Sequence, residues 1–178
     1  MIVRMGKALR RFLRREDGHT TVEFAITFPS MLLFMLAGIE LAFVTMRHAG
    51  LEHALDLTVR DIRLGTGSAP QHDEIKASIC ARAGFLDNCS EVLRLEMITL
   101  DPRDWAGLDD DPDCVDRSEE VAPVRNFVNG QSNELMVLRA CAKVDPVFPT
   151  TGLGSNIAKD GAGQYQLVSI SAFVQEPR

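Results

Sequence analysis

The residues here with side chains able to do chemistry are four cysteines, four histidines and a run of acids in a chain of 178 residues. The cysteines are Cys80, Cys89, Cys114 and Cys141. Their spacing lacks the paired short intervals of a structural zinc site, and none stands beside an obvious base that would activate its thiol. All four lie on the C-terminal side of a long apolar run and none before it, as expected of a region delivered to an oxidising compartment. Disulfides are therefore the favoured chemistry. Four cysteines permit three connectivities. The favoured one joins Cys80 to Cys89, stapling the end of a helix to the strand after it, and Cys114 to Cys141, tying an acidic loop to a middle strand.

That acidic loop, DPRDWAGLDDDPDC, places Asp109, Asp111 and Asp113 at alternate positions, with Glu120 twelfth when Asp109 is counted first. This is the skeleton of a calcium loop. Cys114 occupies the position where glycine makes the sharp turn, and Pro112 stiffens the chain between two would-be ligands. A solvated acidic loop is the better reading, and no metal is expected. Trp105, the only tryptophan, serves equally well as an anchor of this loop on the core or as a partner contact. His48 and His53 have no cysteine or acidic cluster at metal spacing and read as surface or interface residues. No phosphate-cradling glycine loop, nucleophile elbow or histidine pair at helical spacing is present. The expectation is a non-enzymatic protein without a cofactor.

The element that positions everything else is the apolar run from Phe24 to Met46. A hydrocarbon core of roughly 30 Å needs about 20 residues at roughly 1.5 Å each, and the run supplies them. Arg4, Lys7, Arg10, Arg11, Arg14 and Arg15 precede it, opposed only by Glu16 and Asp17. With a net +4 before His19 and −6 on the whole chain, −10 falls on residues 19–178. Positive charge stays in the cytoplasm, so the acidic part is the exported one. Leu9, Phe12 and Leu13 among the cations suit the leader to anionic lipid of the inner membrane. The acidity argues against nucleic acid as a partner, since that needs a basic face.

In an ordinary secretory signal the small-residue cleavage site follows the apolar stretch, whereas Gly18 precedes it. A cut there keeps the apolar helix in the product. DGHTTVEF followed by AITFPSMLLFMLAGIE resembles the TadE-like family of pilus assembly proteins over roughly residues 12–50. The resemblance implies a prepilin-type signal cut between Gly18 and His19 by a prepilin peptidase, which puts Glu23 fifth in the mature chain. A polar His19 departs from the small or less polar residue usual there. The resemblance also takes in Phe24, Pro29 and Gly38-Ile39-Glu40. It implies other pilin-like subunits and the pilus assembly platform as partners.

A carboxylate at the centre of a spanning helix costs about 2.5 to 3.5 kcal/mol, so Glu23, near the edge, reads either as retained for a partner ammonium or as snorkelling to water. Pro29 removes one backbone hydrogen bond and reads either as a helix kink that lets the helix leave the bilayer and pack in a bundle or as a proline that a membrane span tolerates, the second being the preferred reading. Glu40 lies roughly 25 Å up the helix from Glu23, at the outer interface, and is expected to be a solvated carboxylate.

Beyond Met46, Leu51, Leu55, Val59 and Ile62 recur at helical spacing with Glu52, Asp56, Arg60, Asp61 and Arg63 between them. A single helix from about Val22 to Leu64 follows, apolar all round in its first half and amphipathic in its second, stopped by Gly65, Thr66 and Gly67. A second helix is expected from Ala69 to Ala83, capping the sheet. Strands are expected over Val92–Leu100, Glu134–Val144 and Gln164–Val174. A second long loop, PVFPTTGLGSNIAKDGAG, is rich in glycine and carries two prolines. The fold class is α+β and pilin-like: a long N-terminal transmembrane helix running into a small domain with an antiparallel sheet of three to four strands. The organisation expected is a leader over 1–18, the long helix over 19–64 and a disulfide-bonded periplasmic domain over 65–178. The function expected is a minor pseudopilin of a tight-adherence pilus; the alternative is an uncleaved, signal-anchored periplasmic binding or accessory protein.

Overall fold

The computed structural model describes residues 19–64, 70–103, 112, 114 and 127–176. Gly18 and the leader, the Gly65–Gly67 stop, Trp105 and the acids Asp109, Asp111, Asp113 and Glu120 lie outside the described residues. In chain order the elements are α1 (His19–Leu64), α2 (His72–Arg82), α3 (Cys89–Val92), β1 (Leu93–Leu100), β2 (Leu135–Val144), α4 (Gly152–Asn156) and β3 (Tyr165–Val174). This is the expected α+β class, with three strands among the described residues.

α1 is one helix of 46 residues and continues through Pro29. Its second half explains why it docks. Leu51, Leu55, Val59 and Ile62 are all buried, together with Ala54, and form one wall of the core. Each large aliphatic contributes roughly 1.5–3 kcal/mol by leaving water. α2 lies against α1 through Ile75 and Ile79, also buried. Its start is reinforced by the Gln71 N–H donating to the Glu74 carboxylate at 2.9 Å. The helix begins three residues later than the periodicity predicts. It packs more on α1 than on the sheet.

The sheet has the order β1-β2-β3, antiparallel throughout. Alternation in β1 turns Leu93, Leu95 and Met97 to the core, beside Ala142, Ala140 and Leu138 of β2. β3 adds Leu167 and Phe173 to the same layer. On the opposite face Glu96 stands directly across from Arg139, and the two form an ion pair with both side chains largely buried. Sequence reading missed this pair. The only signal for it is a lone arginine within the otherwise apolar start of the central strand, LMVLRACAKV.

Both cysteine bridges are present. Cys80 at the end of α2 is bonded to Cys89 at the start of α3, with Cα atoms 5.5 Å apart, and Cys114 is bonded to Cys141 of β2, with Cα atoms 5.4 Å apart. β2 and β3 are connected by a segment that contains α4 and closes in a turn built on Asp160. Its Oδ1 accepts from the N–H groups of Ala162 and Gln164, and its carboxylate meets the Lys143 ammonium at 2.8 Å.

Candidate functional site

The first half of α1 has no core to face. Val22, Phe24, Ile26, Met31, Leu33, Phe34 and Met35 are all exposed, with Phe34 at 80 %. A helix that is bare and apolar on every side is made for lipid or for other helices. By length and composition α1 can cross a membrane once. Three of its hydroxyls bond back to the helix's own carbonyls. The Thr27 hydroxyl donates to the Glu23 carbonyl at 2.7 Å, the Ser30 hydroxyl to the Thr27 carbonyl at 2.8 Å, and the Thr45 hydroxyl to the Leu41 carbonyl at 2.9 Å. Such bonds let hydroxylated residues sit in an apolar run without an unpaired donor. The rings of Phe24 and Phe28 stack at 5.0 Å between centroids. Glu23 is exposed among these apolar side chains.

The helix meets the domain first at Ala37 to Glu40. Here the expectation of a solvated Glu40 is wrong: the residue is 1 % exposed. Its Oε1 accepts from the N–H of Val147 at 3.0 Å and its Oε2 from the N–H of Phe148 at 2.7 Å. The physical reason is that a carboxylate can leave water when two backbone donors replace the lost solvation. Those donors come from the loop between β2 and β3. Closeness there depends on glycine: a Cβ on Gly154 would collide with the Phe148 carbonyl and lie 3.2 Å from Glu40 Oε2. Gly152 has φ +54 and fits against Ala37, where a Cβ would find the Ala37 Cβ at 3.7 Å.

Two turns higher the docking continues in the same manner. Arg47 donates to the Asp145 carbonyl at 2.8 Å and to the Tyr165 hydroxyl at 3.2 Å, with its guanidinium 6.0 Å from the Phe43 ring centroid. His48 Nε2 lies 3.0 Å from the Val168 carbonyl, so His48 is an interface residue. At the far end Arg63 reaches Glu176 at 3.7 Å. β3 therefore runs along α1 in the same sense, its first residue near Arg47 and the residues after its last near Arg63. The cleft lined by Arg47, Asp87, Asn88, Lys143, Asp145 and Gln164 holds about 90 Å³. This is well below the roughly 300 Å³ at which small-molecule sites begin.

The arrangement is thus a bare apolar helix fastened to a compact domain through Glu40, Arg47, His48 and the Leu51–Ile62 face. What this arrangement can do chemically is bury apolar surface along the bare half of α1. Among the sequence-predicted site residues, Glu23 and Pro29 lie on the bare half of α1, far along the helix from the domain. His19 is its first described residue. A sequence pattern could not reveal the Glu40 pocket, because its donors stand 107 and 108 positions away.

The family model of the TadE-like protein matches residues 18–60, which cover the bare half of α1 and most of its docked half. No curated protein and no solved structure matches the chain.

Proposed function

From the match of α1 to the TadE-like family we propose that the chain is a minor pseudopilin of a tight-adherence, type IV-like pilus, a structural and not a catalytic component. The observation that carries this reading is α1 itself, one continuous helix that is bare and apolar in one half and docked on a small domain in the other. The basic leader orients the chain with its N-terminus in the cytoplasm and the domain over 65–178 in the periplasm. A prepilin peptidase cuts between Gly18 and His19. The mature helix waits in the inner membrane until it packs beside other pilin-like subunits on the assembly platform. Glu23 is then neutralised by the ammonium of its own or a neighbouring amino terminus, which sets the axial register between helices. Pro29 gives the helix a point of flexure.

Intact-mass analysis of the membrane-extracted protein tests the processing step. A chain beginning at His19 is expected, with the longer form accumulating in Gly18→Ala. A product that keeps its native start and is indifferent to that substitution would instead support an uncleaved, signal-anchored accessory protein.

A further inference from the structure

The loop fastened to Glu40 meets α1 within its apolar run and not beyond it. The exposed apolar surface of α1 runs without a break from Val22 to Met46, on the sides the domain leaves free: Ile39, Leu41, Phe43 and Met46 are all exposed. From Phe24 to Met46 the helix rises roughly 33 Å, which matches a hydrocarbon core of roughly 30 Å. Glu40 and Ala37 then lie about 9 and 13 Å below the upper limit of that core. The loop that binds them shares this depth.

Its composition suits that depth. Residues 146–156, PVFPTTGLGSN, carry no charge, although the domain around them is acidic. Val147 is 38 % exposed, Pro149, Thr150 and Thr151 are exposed, and Phe148 and Leu153 are half-buried. The Glu40 carboxylate at this level is sealed from solvent and held by two backbone N–H groups. The nearby Lys159 ammonium is turned onto the carbonyls of Pro149 at 3.1 Å and Gly154 at 2.7 Å. These two backbone oxygens of the loop thus have a donor where water would be scarce.

We propose that the segment from Pro146 to Leu153 is a lipid-contacting lip, by which the domain sinks into the outer leaflet of the membrane that α1 crosses. The partner is the acyl and headgroup boundary of a phospholipid bilayer. This rests on the reading of α1 as a spanning helix. The lip adds a second point of contact on one side of α1, which fixes the tilt and rotation of the domain over the membrane. Glu40 sets its depth.

Tryptophan fluorescence in vesicles tests it. In a Trp105→Phe background, single tryptophans are placed at Val147 and Thr150 on the lip, at Phe34 in the span and at Gln131. Gln131 lies at the end of the domain remote from the lip, because β2 carries the chain roughly 30 Å between them. Each full-length variant is reconstituted in phosphatidylethanolamine and phosphatidylglycerol without brominated lipid, with lipids brominated near the headgroup end of the acyl chain to report on the lip, and with lipids brominated near its methyl end to report on Phe34 at mid-span. The Val147 and Thr150 probes are expected to lose about half their emission to brominated lipid, as groups within roughly 5–10 Å of the interface do, while Gln131 is unaffected. Quenching at Phe34 with none at either lip position overturns the proposal and leaves the spanning helix standing. Absence of quenching at Phe34 removes the spanning helix and the lip with it. A lip signal that changes with protein concentration and not with bromination assigns the surface to another subunit, which also overturns the proposal.

Discussion

Glu40 Oε2 accepts a hydrogen bond from the Phe148 N–H at 2.7 Å, which joins the apolar helix to a loop 108 residues away. With the Val147 N–H on Oε1, the carboxylate fastens the domain at the point where α1 emerges from it. The chain has no other buried acid of this kind on α1 among the described residues.

Removal of this fastening should loosen the junction before it unfolds the domain. Hydrogen bonds to a charged group contribute roughly 1.5–3 kcal/mol each way of counting, and a buried N–H without a partner is costly. Glu40→Ala is expected to destabilise the detergent-solubilised protein by about 3 kcal/mol. Hydrogen exchange at Val147 and Phe148 should accelerate sharply while β2 amides stay protected. Unchanged protection at both amides would sink this role for Glu40.

Gly154 and Gly38 make opposite predictions from the same substitution. A Cβ at Gly154 has the Phe148 carbonyl in its way, whereas one at Gly38 meets nothing within 4 Å. Gly154→Ala is expected to cost about 2 kcal/mol or more, because backbone must move. Gly38→Ala should be neutral or stabilising by up to about 1 kcal/mol, the helix-propensity difference. Thermal unfolding of the two variants side by side distinguishes them.

The buried pair Glu96 and Arg139 should respond asymmetrically. Breaking a buried ion pair at one partner weakens the compensation of the charge that stays, here the Arg139 guanidinium, and costs more than replacing both partners by apolar residues, which is often neutral. Glu96→Gln is therefore expected to be severely destabilising and the double variant Glu96→Leu, Arg139→Met much less so. Chemical denaturation of wild type, both single variants and the double variant completes the cycle.

The two bridges should differ in worth by the loops they close. Cys80–Cys89 spans 9 positions and Cys114–Cys141 spans 27. The chain-entropy relation gives about 2.7 kcal/mol for the first and about 3.6 kcal/mol for the second. Paired serine variants compared by denaturant midpoint check the order. A larger loss from the shorter loop would contradict the entropic account.

Glu23 tests assembly apart from stability. It is exposed, so Glu23→Ala is expected to leave domain unfolding within about 0.5 kcal/mol of wild type. Pilus-dependent adherence should nevertheless fall. Adherence at the wild-type level would take Glu23 out of the mechanism.

Much of the fold was legible because it follows from local periods. The repeat of Leu51, Leu55, Val59 and Ile62 at 3.6-residue spacing, and the alternation of Leu93, Leu95 and Met97, state which faces are buried without reference to a partner. The strands start within one residue of their expected positions. Length and basic flank alone suffice to make α1 a candidate span. What the sequence could not decide is whether a charge met water or protein. Glu40 reads as a solvated carboxylate at the edge of an apolar run, because the two N–H groups that replace water are supplied only when β2 and β3 fold and bring their connecting loop onto α1. Arg139 is the same case in the sheet: whether it is tolerable in a buried strand depends on the register that sets Glu96 opposite. Desolvation of a charge is a property of its surroundings in space, and those surroundings were assembled by tertiary structure.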